Sequence, residues 1–347
     1  MLLSSQMTLQ KPINLEGLTC DSKRINDALF FSLVDYRNNY FTSNEPNKII
    51  EFYKGFENKE QLIDWMVERP KGVPIINEVE GSNDIVVVIP TSDIDGKFAR
   101  ECKENIFKGL HIIFVRSGGG SDFYFNFAHY VNSGIKKAME YNLKWVVFSG
   151  DDMNKLDDVS VLEKELKNIL NSDFSMLLAN PHKKGLYVSK DMAVIQIKGA
   201  LKLFRKKLHS WIELPKELPR YTKKINFHFT EYDPNSFKFH LRKFFLGYKL
   251  ILFSNMNAFG ILSGEFLKNF KEGVFDETFI NGFEDIDLSL KLELMDKFDY
   301  IKYNIAGYEG STLGNKNDPV KFRSRHLRDI ANYIYINYKL LKNSRFK

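Results

Sequence analysis

Two groups of carboxylates stand out in this sequence of 347 residues. The first is Asp151-Asp152, which follows the apolar run Trp145-Val146-Val147-Phe148 through Ser149 and Gly150. A buried strand that ends in acids can hold a divalent cation at the edge of a parallel sheet. Hard carboxylate oxygens suit Mg²⁺ or Mn²⁺, with a phosphorylated ligand completing the coordination shell. By itself, Gly-Asp-Asp is equally ordinary turn chemistry. The second group is Glu284-Asp285-Ile286-Asp287, ahead of a run carrying Leu288, Leu290, Leu292 and Leu294. Acids at a helix start are favoured by the helix dipole, which accounts for Glu284 and Asp287 without any chemistry. Two acidic sites in one α/β domain nevertheless suggest a division of labour. One would hold a metal, and the other would take a proton from a hydroxyl, a step worth about 10²–10⁴-fold in rate.

The elements that must position these acids follow from hydrophobic patterning. Residues 85–91 form a β-branched run and are expected to be a strand buried on both faces. A helix is expected over 96–109, a strand over 111–115, a helix over 123–141 and a strand over 144–148. This is an α/β unit with right-handed crossovers, and such sheets bind ligands beyond the carboxyl ends of their strands. Thr91, Ser92, Asp93, Ser117 and Asp152 all fall on that edge. The loop Gly118-Gly119-Gly120 is not a phosphate loop of the familiar kinds. No Lys-Ser/Thr follows it, and Phe123 stands where a dinucleotide fingerprint needs glycine. Its backbone N–H groups could still touch a phosphate.

Beyond the first acidic corner the pattern predicts a helix over 161–171, a strand over 175–179 and a hairpin around Lys183-Lys184-Gly185 returning over 192–197. A helix over 200–214 follows, then a stretch, 215–247, to which no regular structure is given. Strands over 249–253 and 258–262 and helices over 264–270 and 288–295 complete this part. Upstream, Asn44-Glu45-Pro46 and Asn58 mark two helix starts, and 78–83 reads as a polar linker. The fold class expected is α/β, with a mostly parallel Rossmann-like sheet flanked by helices. The expected division is an N-terminal helical extension (1–83), a catalytic domain (84–314, split into 84–153 and 154–314) and a basic, aromatic C-terminal helix (315–347).

Composition sets the class. The net charge of +6 and pI near 8.9 suit an anionic ligand or an acidic membrane surface but are too weak for a nucleic-acid signature without a clustered stripe. Cys20 and Cys102 have no metal-type spacing, which argues against a disulfide framework and against Cys-ligated zinc. The N-terminal residues lack a signal-peptide pattern, no apolar stretch is long enough to span a bilayer, and the default compartment is the cytoplasm.

Five segments in order resemble the inverting family 2 glycosyltransferases with the A-type nucleotide-sugar-binding (GT-A) fold. The run 85–91, with its Ile89-Pro90-Thr91 ending, resembles the family's first strand. Phe125-Asn126-Phe127-Ala128, then Asn132-Ser133-Gly134 and Ala138, resembles the helix written F-x-x-A-x-N-x-G. Gly150-Asp151-Asp152-Met153 occupies the place of the DXD-like metal motif. Asn257-Ala258-Phe259-Gly260-Ile261-Leu262 resembles the acceptor-side strand. Phe275-Asp276-Glu277-Thr278-Phe279, followed by Glu284-Asp285-Ile286-Asp287-Leu288-Ser289, resembles the FDE…EDVDLS segment and is the most specific match.

The resemblance implies a metal-dependent transferase moving a sugar from a nucleotide-sugar donor to a hydroxyl of a glycan, glycolipid or protein-linked glycan, with inversion. It implies that Asp152 contacts Mn²⁺ or Mg²⁺, that Asp151 faces the donor ribose or stands one layer behind the metal, and that Thr91 and Asp93 lie near the nucleotide base. Pro90, Ser92, Ser117 and Asn132 complete the implied donor side. Asp285 would be the general base, with Glu284 orienting the acceptor or the base. The family's usual acid after the second strand is replaced here by Arg116-Ser117-Gly118. The histidine found before Gly-Ser in many relatives is also absent, with Tyr308-Glu309-Gly310-Ser311 in its place, so Glu309 is the candidate oxygen ligand.

The basic tail, with Lys321, Arg323, Arg325, His326, Arg328, Lys339 and Lys342 among Phe322, Tyr333, Tyr335 and Tyr338, has two readings. It is a solvated amphipathic helix, or a peripheral contact with anionic lipid near a lipid-linked acceptor. Its polar face is not purely basic, which favours the first. Two other functions compete with sugar transfer. A nucleotidyltransferase would need a phosphate-handling Lys or Arg motif after the first strand, and Thr91-Ser92-Asp93-Ile94-Asp95-Gly96 supplies none. A non-catalytic nucleic-acid or membrane binder is disfavoured by two acidic segments on the ligand edge, so no nucleic-acid partner is expected.

Overall fold

The computed structural model describes residues 36–116, 124–169, 176–178, 184–188, 209–210, 214–223, 229–232, 250–254, 259–268, 273–295, 298–307 and 318–342. The helices α1 (Pro46–Lys54) and α2 (Lys59–Glu68) begin where the sequence marks them. Proline opens the first, and the Asn58 side chain accepts a hydrogen bond from the Gln61 N–H at the start of the second. The expected linker is instead structured. β1 (Ile75–Val79) runs antiparallel to a later strand, and β2 (Ser82–Thr91) begins inside the presumed gap. The polar residues there are polar because they have partners. Glu78 Oε2 lies 3.0 Å from His111 Nε2 and accepts from the Tyr141 hydroxyl, and Asn83 Oδ1 lies 2.6 Å from His111 Nδ1.

From Ile85 onward every residue of β2 is buried. The expected helix after it is short: α3 (Lys97–Glu101) passes into a π-helical turn over Cys102–Ile106. β3 (Leu110–Arg116), α4 (Phe127–Ala138) and β4 (Trp145–Ser149) follow as expected, within a few residues. β5 (Met153–Lys155) and α5 (Val159–Ile169) come next, then β6 (Met176–Leu178), β7 (Lys184–Val188) and β8 (His209–Ser210). Lys184 and Gly185, expected in a turn, lie within β7. His209 and Ser210, expected in a helix, form β8, while the proposed return at 192–197 lies outside the described residues. The stretch left without structure contains α6 (Arg220–Lys223) and β9 (Phe229–Tyr232). β10 (Leu250–Ser254), β11 (Phe259–Ser263), α7 (Gly264–Leu267), α8 (Glu284–Met295), β12 (Phe298–Tyr300), β13 (Ile305–Gly307) and α9 (Pro319–Lys342) complete the order.

The main sheet has seven strands in the order β1-β3-β2-β4-β11-β6-β12. It is a mixed sheet, not a mostly parallel one. β3-β2-β4 is parallel and so is β6–β12, but β1 is antiparallel to β3, and β11 is antiparallel to both β4 and β6. A four-stranded sheet, β10-β7-β9-β8, and the pair β5–β13 stand apart from it.

Alternate residues of the central strands feed two apolar layers, as the pleat requires. Val87, Ile89, Ile112, Phe114 and Val147 pack with Leu162 and Leu166 of α5 on one face. Val86, Val88, Ile113, Val115, Val146 and Phe148 pack with α4 and with Leu288 and Leu292 of α8 on the other. α4 lies close to the sheet because position 134 has no side chain. A Cβ there would sit 2.3 Å from Val88 Cγ1 and 2.7 Å from Val115 Cγ2.

A third core joins parts of the chain that the sequence reading had set apart. Phe52, Tyr53, Leu62, Trp65 and Met66 of α1 and α2 pack with Leu327, Ile330, Ala331 and Ile334 of α9. The Tyr53 hydroxyl donates to the Leu327 carbonyl and accepts the Ala331 N–H at 3.0 Å. The C-terminal helix is therefore neither a solvated appendage nor a separate tail. It spans Pro319–Lys342, inside the expected 315–347, and most residues from Ile330 onward are buried. Among the described residues, no helix is long and apolar enough to cross a membrane.

Candidate functional site

The carboxyl ends of β2 and β4 are tied to each other. Thr91, the last residue of β2, is buried and donates its hydroxyl to Asp151 Oδ2 at 2.7 Å. The same Thr91 oxygen lies 3.3 Å from the Asp93 N–H, and Asp93 Oδ1 accepts the Asp95 N–H at 3.0 Å, which folds the loop after β2 back on itself. The Cys102 thiol donates to the Asp151 carbonyl at 3.3 Å, and burial pushes that thiol up to about 12, so it stays neutral. Burial also raises the Asp151 carboxyl above the ordinary carboxylate range, against the pull of the Thr91 hydroxyl. Asp152 is half-buried at the same corner, while Ser92 and Asp93 are exposed beside it. Pro90 is buried within β2, opposite Val115, and shapes the strand end rather than facing solvent.

β5 leaves this corner directly and pairs with β13, with Met153 opposite Gly307. Gly307, at the end of β13, thus lies opposite the residue that follows Asp152. Glu309 and Ser117 themselves lie outside the described residues. Among the described residues, no three His, Cys, Asp or Glu side chains gather as a cation cage.

The second acidic segment is held against this edge by α4. Asn126 caps that helix by accepting the His129 N–H, and its amide donates to the carbonyls of Glu277 at 2.8 Å and Phe279 at 3.1 Å. One turn and a half later, Asn132 donates to the Phe275 carbonyl and Glu277 Oε1, and its oxygen accepts the N–H groups of Val274 and Phe275, all at 2.8–3.0 Å. Those four bonds exhaust a carboxamide. Asn132, expected to touch the donor, is turned onto the acidic segment instead. His129 Nδ1 lies 2.9 Å from Glu277 Oε2, and Asn281 Oδ1 accepts the Phe127 N–H at 3.0 Å. The rings of Phe148 and Phe275 meet edge to face at 5.1 Å, joining the end of β4 to the start of the segment. Asn126, His129, Glu277 and Asn281 were missed as site-building residues. Asn126 and Glu277 stand inside the strings that resemble family motifs, whereas His129 and Asn281 fall between them and carry no signal of their own.

The far side of the segment is braced by α9. Asn332 is buried and exchanges two hydrogen bonds with the backbone of Ile280, at 2.9 and 3.0 Å. The Tyr335 hydroxyl and the Lys339 ammonium both donate to Asp276 Oδ2, at 2.8 and 2.7 Å, and Lys339 also donates to Asp287 Oδ2 at 2.6 Å. Between these braces the backbone takes left-handed conformations at Asn281 (φ 52°) and Phe283 (φ 74°). Such conformations in non-glycine residues cost about 1–3 kcal/mol each and persist only where the surroundings impose them.

Glu284 and Asp285 occupy the first turn of α8 rather than the loop before it. Asp285 is half-buried. Its Oδ1 accepts the Ile286 N–H at 2.8 Å, and its carbonyl accepts the Ser289 hydroxyl. Glu284 is 7% exposed, and its Oε2 has no hydrogen-bond partner among the described residues. Burial, and after it the neighbouring Asp285 charge, push the Glu284 carboxyl up to about 8 from the ordinary 4.5.

A carboxyl raised on folding keeps its proton in the folded chain and loses it in the unfolded one. Its stabilising effect is complete below pH 4.5 and is lost as pH rises toward about 8. Relative to Glu284→Gln, the native chain should therefore lose stability across this window, by at most about 1.4 kcal/mol per pH unit. Urea unfolding of both forms at pH 5, 6, 7 and 8 measures the difference, and a pH-independent gap would refute the buried-acid assignment.

Comparison with family models, with curated proteins and with solved structures finds no match to this chain.

Proposed function

We propose that the protein is a metal-dependent, inverting glycosyltransferase of the A-type (GT-A) fold, moving a sugar from a nucleotide-sugar donor to a hydroxyl acceptor. The observation that carries this reading is the Thr91–Asp151 hydrogen bond. It draws the ends of the first and third parallel strands together and leaves Asp152 at the open edge. The acidic segment 275–287 supports the reading from the other side, since α4 and the Phe148–Phe275 contact hold its start against the same part of the sheet.

The donor set suits the implied cation. Mg²⁺ and Mn²⁺ characteristically take one or two carboxylates and fill the remaining positions with phosphate oxygens and water. A half-buried Asp152, with Glu309 as the second candidate oxygen, matches that need without a closed protein cage. When bound, the ion offsets the charge that builds on the departing nucleoside diphosphate. Thr91 fixes Asp151, and the turned loop through Asp93 borders the donor base. Asp285 takes the acceptor proton as the hydroxyl attacks the anomeric carbon in line, the bond to the nucleotide breaks, and configuration inverts. A neutral, buried Glu284 is suited to donating a hydrogen bond to acceptor or base rather than to removing a proton. The acceptor is a glycan, glycolipid or protein-linked glycan.

The experiment is a panel of nucleotide-sugars with Mn²⁺ or Mg²⁺, read by thermal shift and by release of free nucleotide. Metal-dependent stabilisation and slow nucleotide release with at least one donor are expected. Silence across the whole panel would sink the reading.

A further inference from the structure

We propose that Lys339 is a positioning residue for the acidic segment: by bridging Asp276 and Asp287, it fixes the start of α8, and with it Asp285, on the sheet edge. The inference rests on the glycosyltransferase reading for its catalytic meaning, but its geometry stands independently.

α8 opens with three carboxylates in its first turn, Glu284, Asp285 and Asp287. The helix dipole favours them individually, while they repel one another. They follow a turn in which Asn281 and Phe283 both have positive φ, a backbone that non-glycine residues keep only where their surroundings impose it. Lys339 meets both ends of this turn at once. Its ammonium lies 2.7 Å from Asp276, before the turn, and 2.6 Å from Asp287, after it. It also sits 5.6 Å from the centre of the Phe279 ring, between the two carboxylates in sequence. Tyr335, one turn earlier on α9, adds its hydroxyl to Asp276, and Asn332 holds the Ile280 backbone.

A single cation therefore closes the loop from Asp276 to Asp287 around the strained turn, from a helix that is itself anchored in the third core. Asp287 and Asp285 are two residues apart on α8, so a shift of the bridge is transmitted directly to the proposed base. Misplacement of a reacting group by about 1 Å can cost about 10²-fold in rate. The bridge needs one cation that reaches two carboxylate oxygens at once, and a guanidinium, with its several N–H donors, can span the same pair.

The test compares the full-length wild type with Lys339→Met and Lys339→Arg. Amide hydrogen exchange over 276–288 is read first, because it needs no ligand. Lys339→Met should exchange faster there, with the central strands 85–91 and 145–149 unchanged, and Lys339→Arg should restore protection. Nucleotide release is then measured with a nucleotide-sugar that the wild type accepts. Turnover should fall about 10²-fold in Lys339→Met with KM for that donor unchanged, and should recover in Lys339→Arg. If Lys339→Met does not fold, Asp287→Asn removes one arm of the bridge and is read in the same way. Wild-type exchange over 276–288 without the ammonium would overturn the inference, and so would a loss confined to KM. A wild type that releases nucleotide from no donor sinks the glycosyltransferase reading instead, and the exchange data still decide the role of Lys339.

Discussion

In Asp285→Asn, turnover is expected to fall about 10²–10⁴-fold, the range that a carboxylate base contributes, while the affinity for the metal–nucleotide donor stays at its wild-type value. The substitution is isosteric, so the Asp285 oxygen can still accept the Ile286 N–H and the Ser289 bond to its carbonyl is untouched. What is lost is the ability to take a proton, together with the charge that helps raise Glu284. The measurement pairs a titration of nucleotide diphosphate with Mn²⁺ against initial rates of transfer. The expected signature is a change in kcat alone, because an interaction made only in the transition state does not alter ground-state binding. Wild-type rates in Asp285→Asn would remove this residue from the mechanism. Loss of donor affinity would place it on the donor side.

Asp152→Ala should behave in the opposite way. Metal-dependent binding of the donor should be lost, by more than the about 10–100-fold typical of removing a group that merely supports a metal ligand. Metal-independent contacts from Thr91 and the loop through Asp93 should leave only weak binding that no longer responds to Mn²⁺. Thr91 offers a built-in control. Its hydroxyl holds Asp151 and not Asp152, so the fold of the corner should survive Asp152→Ala with an unchanged melting temperature in the absence of metal. Retained Mn²⁺-dependent binding in Asp152→Ala would move the metal to other carboxylates and dissolve the assignment of this corner.

The parallel centre of the fold was legible because its signals are local. A β-branched run such as 85–91 has to be a doubly buried strand, and Asn58 and Pro46 mark helix starts with one residue each. The corner at Asp151-Asp152 was legible for the same reason, since a strand end and its acids lie together in the sequence. What remained hidden depends on partners far along the chain. Glu78 and Asn83 read as a polar linker because their partner His111 sits in another strand. Strand direction beyond β4 cannot be read from alternation, which is the same for both directions, so the antiparallel β11 was missed. The motif around Asn132 gives its position on α4 but not its partners, and its hydrogen bonds clamp the backbone of Val274 and Phe275. The tail looked solvated because Lys339 reads as a surface charge until Asp276 and Asp287 are brought beside it.

The third core has a consequence for the order in which the molecule can assemble. Tyr53 and Leu327 are 274 residues apart in sequence, yet they meet in one buried hydrogen bond. Contacts of that separation form late, because the intervening chain must be gathered before they return any free energy. The parallel strands around β2 can collect early from neighbouring residues. The turn at Asn281 and Phe283, by contrast, has to wait for α9, which follows it in the chain and holds it through Asn332. During synthesis the parallel strands around β2 would therefore assemble before the acidic segment takes its form. On this view, the acidic segment takes its final form only once the helix from Pro319 to Lys342 has docked onto α1 and α2.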